Sequence, residues 1–561
     1  MASSEHLLDV SSVAADAGGV QRGRSQQMVL ACVLMIASGF AGLAYQIVWT
    51  QQSTSWLGHE SAAVLAVVAA FFGGLALGAL TLGSRIDRSA RPARWYAGCE
   101  IVIGLWSLTL AVLLEPASSA LLTLIGPQPS AAWHWFVAFF GTALLLLPAT
   151  AAMGATLPAM ERVFASTSAR SISISALYAA NTAGAVVGVI AAAFWLVPQF
   201  GLAHSALACA VLNFVCAAVA LSLRTNGATA AATTASAGSR SERSSTREAS
   251  RHPHVLLMLA ATGLLGIGYE VLVVRALSQV AENTVYTFAL LLAVYLIGTA
   301  LGAAIYGRWL AGKSTLNGLL THLTQALAAS CLIGTLLLAG ADEIKTSLIG
   351  AFGPSMTSAL AGEVTMAIIA FLLPTIVMGA LFSHLSTSAR DSGISFGHAI
   401  GVNTLGAAIA PLLFGVVLLP MLGLKLALLL ISAGYLLLAA RHAWSRPAQW
   451  AMIAATVAGM IWSPSLHNTH IPAGGRLVSY FEGVMAGVSV IEDESGVATL
   501  HINNRQQEGS SATLLADARQ ALLPVLLHPN PKKALFLGLG TGLTASSATL
   551  QPSLQVDVVE L

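Results

Sequence analysis

The sequence predicts a mainly α-helical, polytopic membrane bundle of two parallel six-helix repeats, followed by a small β segment and the start of an α/β domain. Hydrophobic residues make up 56% of the 561 residues and charged residues only 9%, whereas a soluble domain carries roughly 25% charge. The apolar residues form runs long enough to cross a bilayer, which takes about 20 residues per helix. The runs of the first half also reappear in the second half.

About twelve apolar runs are predicted to span the membrane. The first is longer than the core of a signal peptide, about 7–15 residues, so we interpret residues 1–27 as a polar tail on the cytoplasmic side. The runs lie at 28–50, 61–83, 97–114, 134–157, 173–197, 203–223, 255–275, 285–307, 316–339, 362–384, 395–420 and 424–440.

Basic residues predict which ends of the spans face the cytoplasm, because cytoplasmic loops carry an excess of Lys and Arg. They occur before the first run, after alternate runs and in a polar linker, at Arg22, Arg24, Arg85, Arg88, Arg91, Arg94, Arg162, Arg170, Arg224, Arg240, Arg243, Arg247, Arg251, Arg308, Lys313, Arg390, Arg441 and Arg446. This pattern places the N-terminus and the linker, residues 225–253, in the cytoplasm.

The chain repeats itself at an offset of about 222–226 residues, which defines the membrane repeats 28–224 and 254–446. The matching blocks are 37–46 with 261–270, 73–78 with 297–302, 147–155 with 373–380, 176–184 with 398–406, and 196–202 with 418–424. An even number of spans per repeat makes the two repeats parallel. This topology resembles that of the major facilitator superfamily of transporters.

A shorter apolar run, 447–463, follows the repeats and can be interpreted in two ways. It is either an extra span, which puts the C-terminal region outside, or an interfacial segment, which leaves that region in the cytoplasm. Because it is short for a span, the sequence favours the interfacial segment. Residues 464–533 then alternate like short strands with one helix at 512–527 and are predicted to form a small β domain.

The last predicted unit, 534–561, begins with a glycine-rich turn between two apolar strands. Gly538, Gly540 and Gly542 follow the first strand, and Glu560 ends the second. A Rossmann-like nucleotide-binding unit begins with this order of elements: strand, glycine turn, helix, strand and acidic residue. In such a unit the glycines let the backbone approach the ligand closely, and the acidic residue binds the ribose hydroxyls. The alternative is a plain tight turn.

Residues 480–561 resemble the spermidine synthase family of aminopropyltransferases, through LHINNRQQ at 500–507, LLHPNPKKALFLGLGTG at 526–542 and VDVVEL at 556–561. With GLLGIGYEVLVVRAL at 263–277, the chain resembles bacterial proteins that join such a domain to a transporter-like membrane region. The resemblance implies a multi-pass protein of the bacterial inner membrane that binds decarboxylated S-adenosylmethionine or S-adenosylmethionine. The cofactor residues it implies are Gln507, Gly538, Gly540, Thr541, Gly542 and Glu560.

The chain departs from that family where the diamine substrate binds. Ile502-Asn503-Asn504 stands where the family has Leu-Asp-Gly, and residues 511–517 lack the family's Asp-Glu and Tyr-His pairs. The family's catalytic Asp is expected beyond Leu561, so we expect the chain to be C-terminally truncated and inactive alone. The glycine turn also suits methyl transfer.

Two charged residues stand out in the second repeat, because a charge within a span is costly and is a functional-site hypothesis by default. Glu270 and Arg275 occupy the positions of the neutral Gln46 and Gln51 in the first repeat. One interpretation is that the two charges neutralise each other or that Arg275 extends its charged end to the membrane surface. The other is a role in substrate or proton binding.

Asn181 and Asn403 occupy equivalent positions in the two repeats. They are predicted either to hydrogen-bond between helices or to line a site at the repeat interface. The glycine pairs 74/78, 298/302 and 184/188 predict close helix packing, and no metal site is expected.

Two functions remain open from the sequence. The first is a membrane-bound aminopropyl or methyl transferase in polyamine metabolism. The alternative is a major-facilitator-like transporter with a non-catalytic, nucleoside-sensing C-terminal domain. The expected partners are the lipid bilayer and a polyamine or other small cation, but not nucleic acid, since the net charge is only +2.

Overall fold

This computed structural model describes residues 5–57, 60–164, 170–222, 252–281, 284–311, 316–467, 469–504 and 506–560. Nearly all of the predicted linker, 225–253, lies outside the described residues. The first helix begins at Glu5, within the predicted polar tail 1–27, and continues to Leu57, and its membrane-spanning part is Met28–Thr54.

The first half of the bundle is built from helices that follow one another with short connections. They are α1 (Glu5–Leu57), α2 (Glu60–Asp87), α3 (Pro92–Ile125), α4 (Ala131–Phe164), α5 (Arg170–Ala191, continued by the π-helix Ala192–Leu196) and α6 (Val197–Leu221).

The second half follows the same order, with more π-helical turns. Its elements are α7 (His252–Leu277), α8 (Val285–Ile305, continued by the π-helix Tyr306–Leu310), α9 (Leu316–Leu337), α10 (Ala341–Phe352), α11 (Met356–Ala367, continued by the π-helix Ile368–Leu372), α12 (Leu373–Asp391), α13 (Phe396–Ala410, continued by the π-helix Pro411–Leu418) and α14 (Leu419–Leu437).

Among the described residues, ten helices are long and apolar enough to cross a membrane. Two of them, Ala176–Leu221 and Phe396–Leu437, contain a glycine with a positive φ, 75° at Gly201 and 74° at Gly423. Only glycine adopts such a φ easily, and it breaks the helix. Because each of these two helices is divided in two at its glycine, the ten helices give twelve segments that can cross the membrane. The predicted fold class is therefore confirmed.

Glycines set the closest helix contacts, and they do so at equivalent places in both halves. In the first half, a Cβ added at Gly78 of α2 would meet the Ala151 backbone of α4. In the second half, a Cβ added at Gly302 of α8 would meet the Ile376 backbone of α12. Gly184 of α5 lies equally close to the Ile36 backbone of α1. The predicted close packing at the three glycine pairs is confirmed.

Residues 447–463, for which the sequence favours an interfacial segment, form a helix that runs alongside α14. This helix, α15 (Pro447–Trp462), is about 24 Å long at 1.5 Å per residue. At one end the Gln449 side chain donates to the Leu436 carbonyl, and at the other the Lys425 ammonium donates 2.6 Å to the Ser463 carbonyl. The two helices are therefore antiparallel over the same depth, which is the arrangement of an extra span.

The C-terminal region contains two small sheets. The first is an antiparallel sheet of β1 (Arg476–Glu482), β2 (Gly487–Glu492), β3 (Ala498–Ile502) and β4 (Gln506–Ser510), in sequence order. Helix α16 (Leu514–Leu527) leads to the second, in which β5 (Lys533–Leu537) pairs in parallel with β6 (Gln555–Val559) across the short helix α17 (Leu543–Ala548).

The first sheet docks at one end of the bundle. We call this end the hairpin face, where α1 approaches α2 and α7 approaches α8, and the opposite end the linker face, where α2 meets α3 and α12 meets α13. Met485, in the turn between β1 and β2, packs against Trp56 and Leu57 at the end of α1. The expectation that the linker and the C-terminal region share one side is therefore wrong in this structure, because α15 carries the chain across the bundle once more.

Candidate functional site

Two adjoining cavities lie between the halves, midway along the helices. Their volumes are about 160 Å³ and 230 Å³. Both halves contribute to their walls, and the residues that line both cavities are Phe72, Tyr178, Leu296, Phe382, Asn403 and Thr404. A space at the interface of two repeats near the membrane midplane is where transporters of this architecture bind solutes.

Polar groups from both halves reach these cavities. Asn181 and Thr182 of α5 line the larger cavity, and Tyr295 and Thr262 line the smaller one. The Asn403 amide donates 2.8 Å to the Leu259 carbonyl and 3.3 Å to the Thr262 hydroxyl, so it joins α13 to α7 as well as lining the site. The Asn181 side chain has no hydrogen-bond partner among the described residues, and its amide is available to the cavity.

Glu270 lines a third cavity, of about 70 Å³, nearer the hairpin face. Val64, Leu65 and Val68 of α2 form one wall and Val271 of α7 belongs to another. Ile267, three residues before Glu270, lines the smaller central cavity, so the Cα atoms of these two residues are separated by about 4.5 Å along α7. No described residue forms a hydrogen bond or an ion pair with Glu270.

Arg275 does not neutralise Glu270, which corrects the first interpretation of this pair. Its guanidinium instead donates 2.7 Å and 2.9 Å to the Glu482 carboxylate of β1 and 3.0 Å to the Asn503 side chain. The side chains of Arg275 and Glu482 are each only 7% exposed. The partner was not recognisable from the sequence because it lies 207 residues away, and Arg275 anchors the first sheet to the bundle.

The turn between β1 and β2, residues 483–486, covers the Glu270 cavity. Val484 is part of the cavity wall, and the carbonyl groups of Gly483 and Met485 accept hydrogen bonds from Arg275. The turn thus closes the hairpin-face end of the space between the halves.

Two aromatic side chains support this turn from the solvent side. The Tyr480 hydroxyl donates to Glu482, and the ring of His467 stacks on Tyr480 with centroids 3.8 Å apart. Burial, and then the Glu482 charge, raise the pKa of Tyr480 above its usual range. Desolvation lowers the pKa of His467, against the opposing effect of Glu482.

An ion pair between the halves lies at the linker face. Arg390 of α12 pairs with Glu161 of α4, and both side chains are mostly buried. Gly83 of α2 and Gly397 of α13 approach so closely that a Cβ on Gly397 would lie 3.2 Å from the Gly83 Cα. At the hairpin face the ring of Phe194 packs against that of Tyr286, with centroids 4.8 Å apart, so the halves are in contact at both ends of the central cavities.

The predicted nucleoside-binding residues gather at the glycine turn of the C-terminal region. Gly538, Gly540 and Gly542 have φ values of 95°, 52° and 76°, which suit glycine alone. Glu560 accepts a hydrogen bond from the Leu539 amide within this turn. Gln507 lies on β4, whose Gly509 packs against Thr541, so the two predicted binding segments are adjacent.

Several site residues were not found from the sequence. Tertiary contacts alone bring four of them to the site: Glu161, Glu482, Tyr178 and Tyr295. Of these, Glu161 could have been identified from the sequence, because it is a charged residue within an apolar run. Within the described ranges, no group of three His, Cys, Asp or Glu side chains could hold a metal ion.

No protein-family model and no curated protein matches the sequence. Solved structures similar to this chain include the human organic anion transporter MFSD10 (13% identity, 74% of this chain, 98% of that chain, TM-score 0.46). Others are the nucleoside transporter NupG (11%, 76%, 99%, 0.45) and the fucose:proton symporter FucP of E. coli (15%, 73%, 96%, 0.44). At these values the similarities assign no family and no function.

Proposed function

We propose that this polytopic membrane protein is a transporter that carries a small solute through the space between its two halves. The observation that supports this proposal is the pair of central cavities, lined by polar side chains of both halves and bounded at each end by contacts between halves. Two parallel repeats that rock about such a site would expose it alternately to the two faces.

The chemistry of the cavities favours a small organic cation, such as a polyamine. Among the described residues that line the two central cavities and the adjoining hairpin-face cavity, the acidic one is Glu270, in the hairpin-face cavity, whereas the Arg275 charge is compensated by Glu482. An intramembrane carboxylate without a protein partner is suited to bind a cationic cargo or a proton.

The orientation of the bundle in the membrane also bears on whether the protein is a transferase. If the basic linker face is cytoplasmic, the β sheets lie on the non-cytoplasmic side, where a cytoplasmic adenosyl cofactor does not reach them. With this orientation, in which the N-terminus is inside the cell, the transporter is favoured over a polyamine-synthesising enzyme.

Cysteine accessibility tests alternating exposure. In a background without the five native cysteines, Thr404→Cys should react with a membrane-impermeant thiol reagent added on either side of inside-out and right-side-out vesicles, because Thr404 lines both central cavities. Thr335→Cys, buried within α9 and outside the cavities, is the matched control and should stay unreactive. Reactivity of Thr404→Cys from neither side, or as slow as the control, would argue against a transport pathway.

A second candidate function concerns the glycine turn at 538–542 and requires the opposite orientation, in which the hairpin face and the β sheets are cytoplasmic. We infer that it can bind the adenosyl part of S-adenosylmethionine or of its decarboxylated form, with Gln507 and Glu560 nearby. The positive φ values and the adjacent β4 support this inference. Isothermal titration with both cofactors should show saturable binding that Gly540→Val removes, and heat signals equal to buffer dilution would rule it out.

A further inference from the structure

A groove on the bundle lies away from the proposed transport site, at the linker face of the first half. Its volume is about 510 Å³, and it lies between the end of α2, the first turns of α3 and the middle of α4. Its walls are mostly apolar, with Gly98, Cys99 and Val102 of α3 on one side and Pro148, Ala151 and Ala152 of α4 on the other.

The linker-face end of this groove is polar and positively charged. Arg91 and Arg94 line it together with Ser89 and Trp95. Both arginines are exposed, and neither forms an ion pair with a described residue. Trp side chains are enriched at the membrane–water boundary, so this end of the groove lies at the level of lipid headgroups.

From this combination we propose that the groove is a binding site for one phospholipid with an anionic headgroup. Arg91 and Arg94 bind the phosphate and the headgroup charge, as basic pockets between membrane helices do. An acyl chain lies along α3 from Arg94 toward Val102, over about 12 Å of helix. A free phosphate ion would fill the charged end but would gain nothing from the apolar walls, which favours the lipid.

Thermal-shift titrations of the detergent-purified full chain test this proposal. We expect phosphatidylglycerol to raise the melting temperature saturably, and phosphatidylcholine and inorganic phosphate to leave it unchanged. The double variant Arg91→Gln/Arg94→Gln should weaken the apparent affinity for phosphatidylglycerol about 30-fold, roughly 5-fold for each arginine. Arg85→Gln/Arg88→Gln removes two exposed arginines that do not line the groove and should retain the wild-type affinity.

A second variant blocks the apolar part without touching the charges. Gly98 lines the groove and a Cβ added there meets no atom within 4 Å, so we expect the side chain of Gly98→Leu to occupy the groove and to weaken phosphatidylglycerol binding. The proposal fails if phosphatidylcholine stabilises the protein equally, if inorganic phosphate reproduces the shift, or if the two arginine variants lose affinity equally. It also fails if Gly98→Leu binds phosphatidylglycerol as the wild type does.

Discussion

The two halves of the bundle are most alike where helices touch and least alike where the space between them approaches the hairpin face. Gly39 packs against the Asn181 backbone in the first half as Gly263 packs against the Asn403 backbone in the second. In contrast, Gln46 corresponds to Glu270. The repeated positions maintain helix packing, so they had to stay the same for the duplicated fold to form.

The unmatched positions have a different explanation. Gln51 is neutral, but its counterpart Arg275 binds the docked sheet, and Glu270 lies in the cavity beneath that sheet. At these two positions, therefore, the second half supplies charges near the hairpin face where the first half has glutamines. This asymmetry indicates that the added charges serve docking and solute binding and are not needed for the bundle itself.

The largest expected effect comes from breaking the docking charge pair. Arg275→Ala leaves Glu482 buried without its partner, which costs about 3–5 kcal/mol. Hydrogen exchange should show the amides of β1 and β2 opening far more readily while the membrane helices keep their protection. Arg476→Ala is the control, since Arg476 is 74% exposed in its pair with Glu492, and it should cost only about 0–1 kcal/mol. Equal protection in both variants would show that Arg275 does not hold the sheet.

The next effect tests the similarity of the halves. Gly78→Leu and Gly302→Leu should each destabilise the bundle by about 1–3 kcal/mol or more, because a side chain at either position overpacks a helix contact. The yield of monodisperse protein after size-exclusion chromatography in detergent should fall to a similar extent for both. Gly350→Leu, where a Cβ meets nothing, should behave as wild type. A loss confined to one half would show that the two contacts are not equivalent.

A smaller effect should separate the two asparagines. Asn403→Ala removes hydrogen bonds between α13 and α7 and should cost about 1 kcal/mol of stability. Asn181→Ala should leave the melting temperature nearly unchanged but lower spermidine uptake, because its amide faces the cavity. The reverse pattern would mean that the first-half asparagine is the structural one.

The smallest effect concerns pH at the turn between β1 and β2. Because the pKa of His467 is lowered in the folded protein, the unfolded segment binds a proton more readily. The stability that neutral His467 contributes is present above about pH 6.5, the usual histidine value, and is lost as pH falls toward the lowered pKa. Proteolysis of the segment should increase on acidification and depend less on pH in His467→Phe, which keeps His501. An unchanged pH dependence would exclude His467 as the cause.

Much of the membrane region could be predicted from the sequence, because apolar length and internal repetition are local signals. The runs around Glu270 and the glycine pairs fell in helices as expected. The packing of α15 along α14 was not predicted, because 16 residues is short for a span by the usual length criterion. Gln449, Thr456 and Gly459 are buried against the bundle, and this packing, which no local pattern reports, places the helix.

The candidate site was predicted only in part. Glu270, Asn181 and Asn403 were identified by their unusual polarity within apolar runs. The aromatic residues that surround the cavities could not be identified from the sequence. Tyr178 and Phe382, for example, belong to different halves and come into contact only in the folded chain. The sequence did not single out Glu482, because acidic residues are common in strands that lie at a protein surface.

Uptake of radiolabelled spermidine into proteoliposomes that carry wild type or Glu270→Gln tests the solute site most directly. We predict protein-dependent uptake by wild type and a fall of about 30-fold or more in the variant, because losing one charged partner costs about 2 kcal/mol or more. Glu343→Gln, an exposed carboxylate of α10, should transport as wild type. Equal uptake by wild type and Glu270→Gln, or none above empty liposomes, would contradict a cation site between the halves.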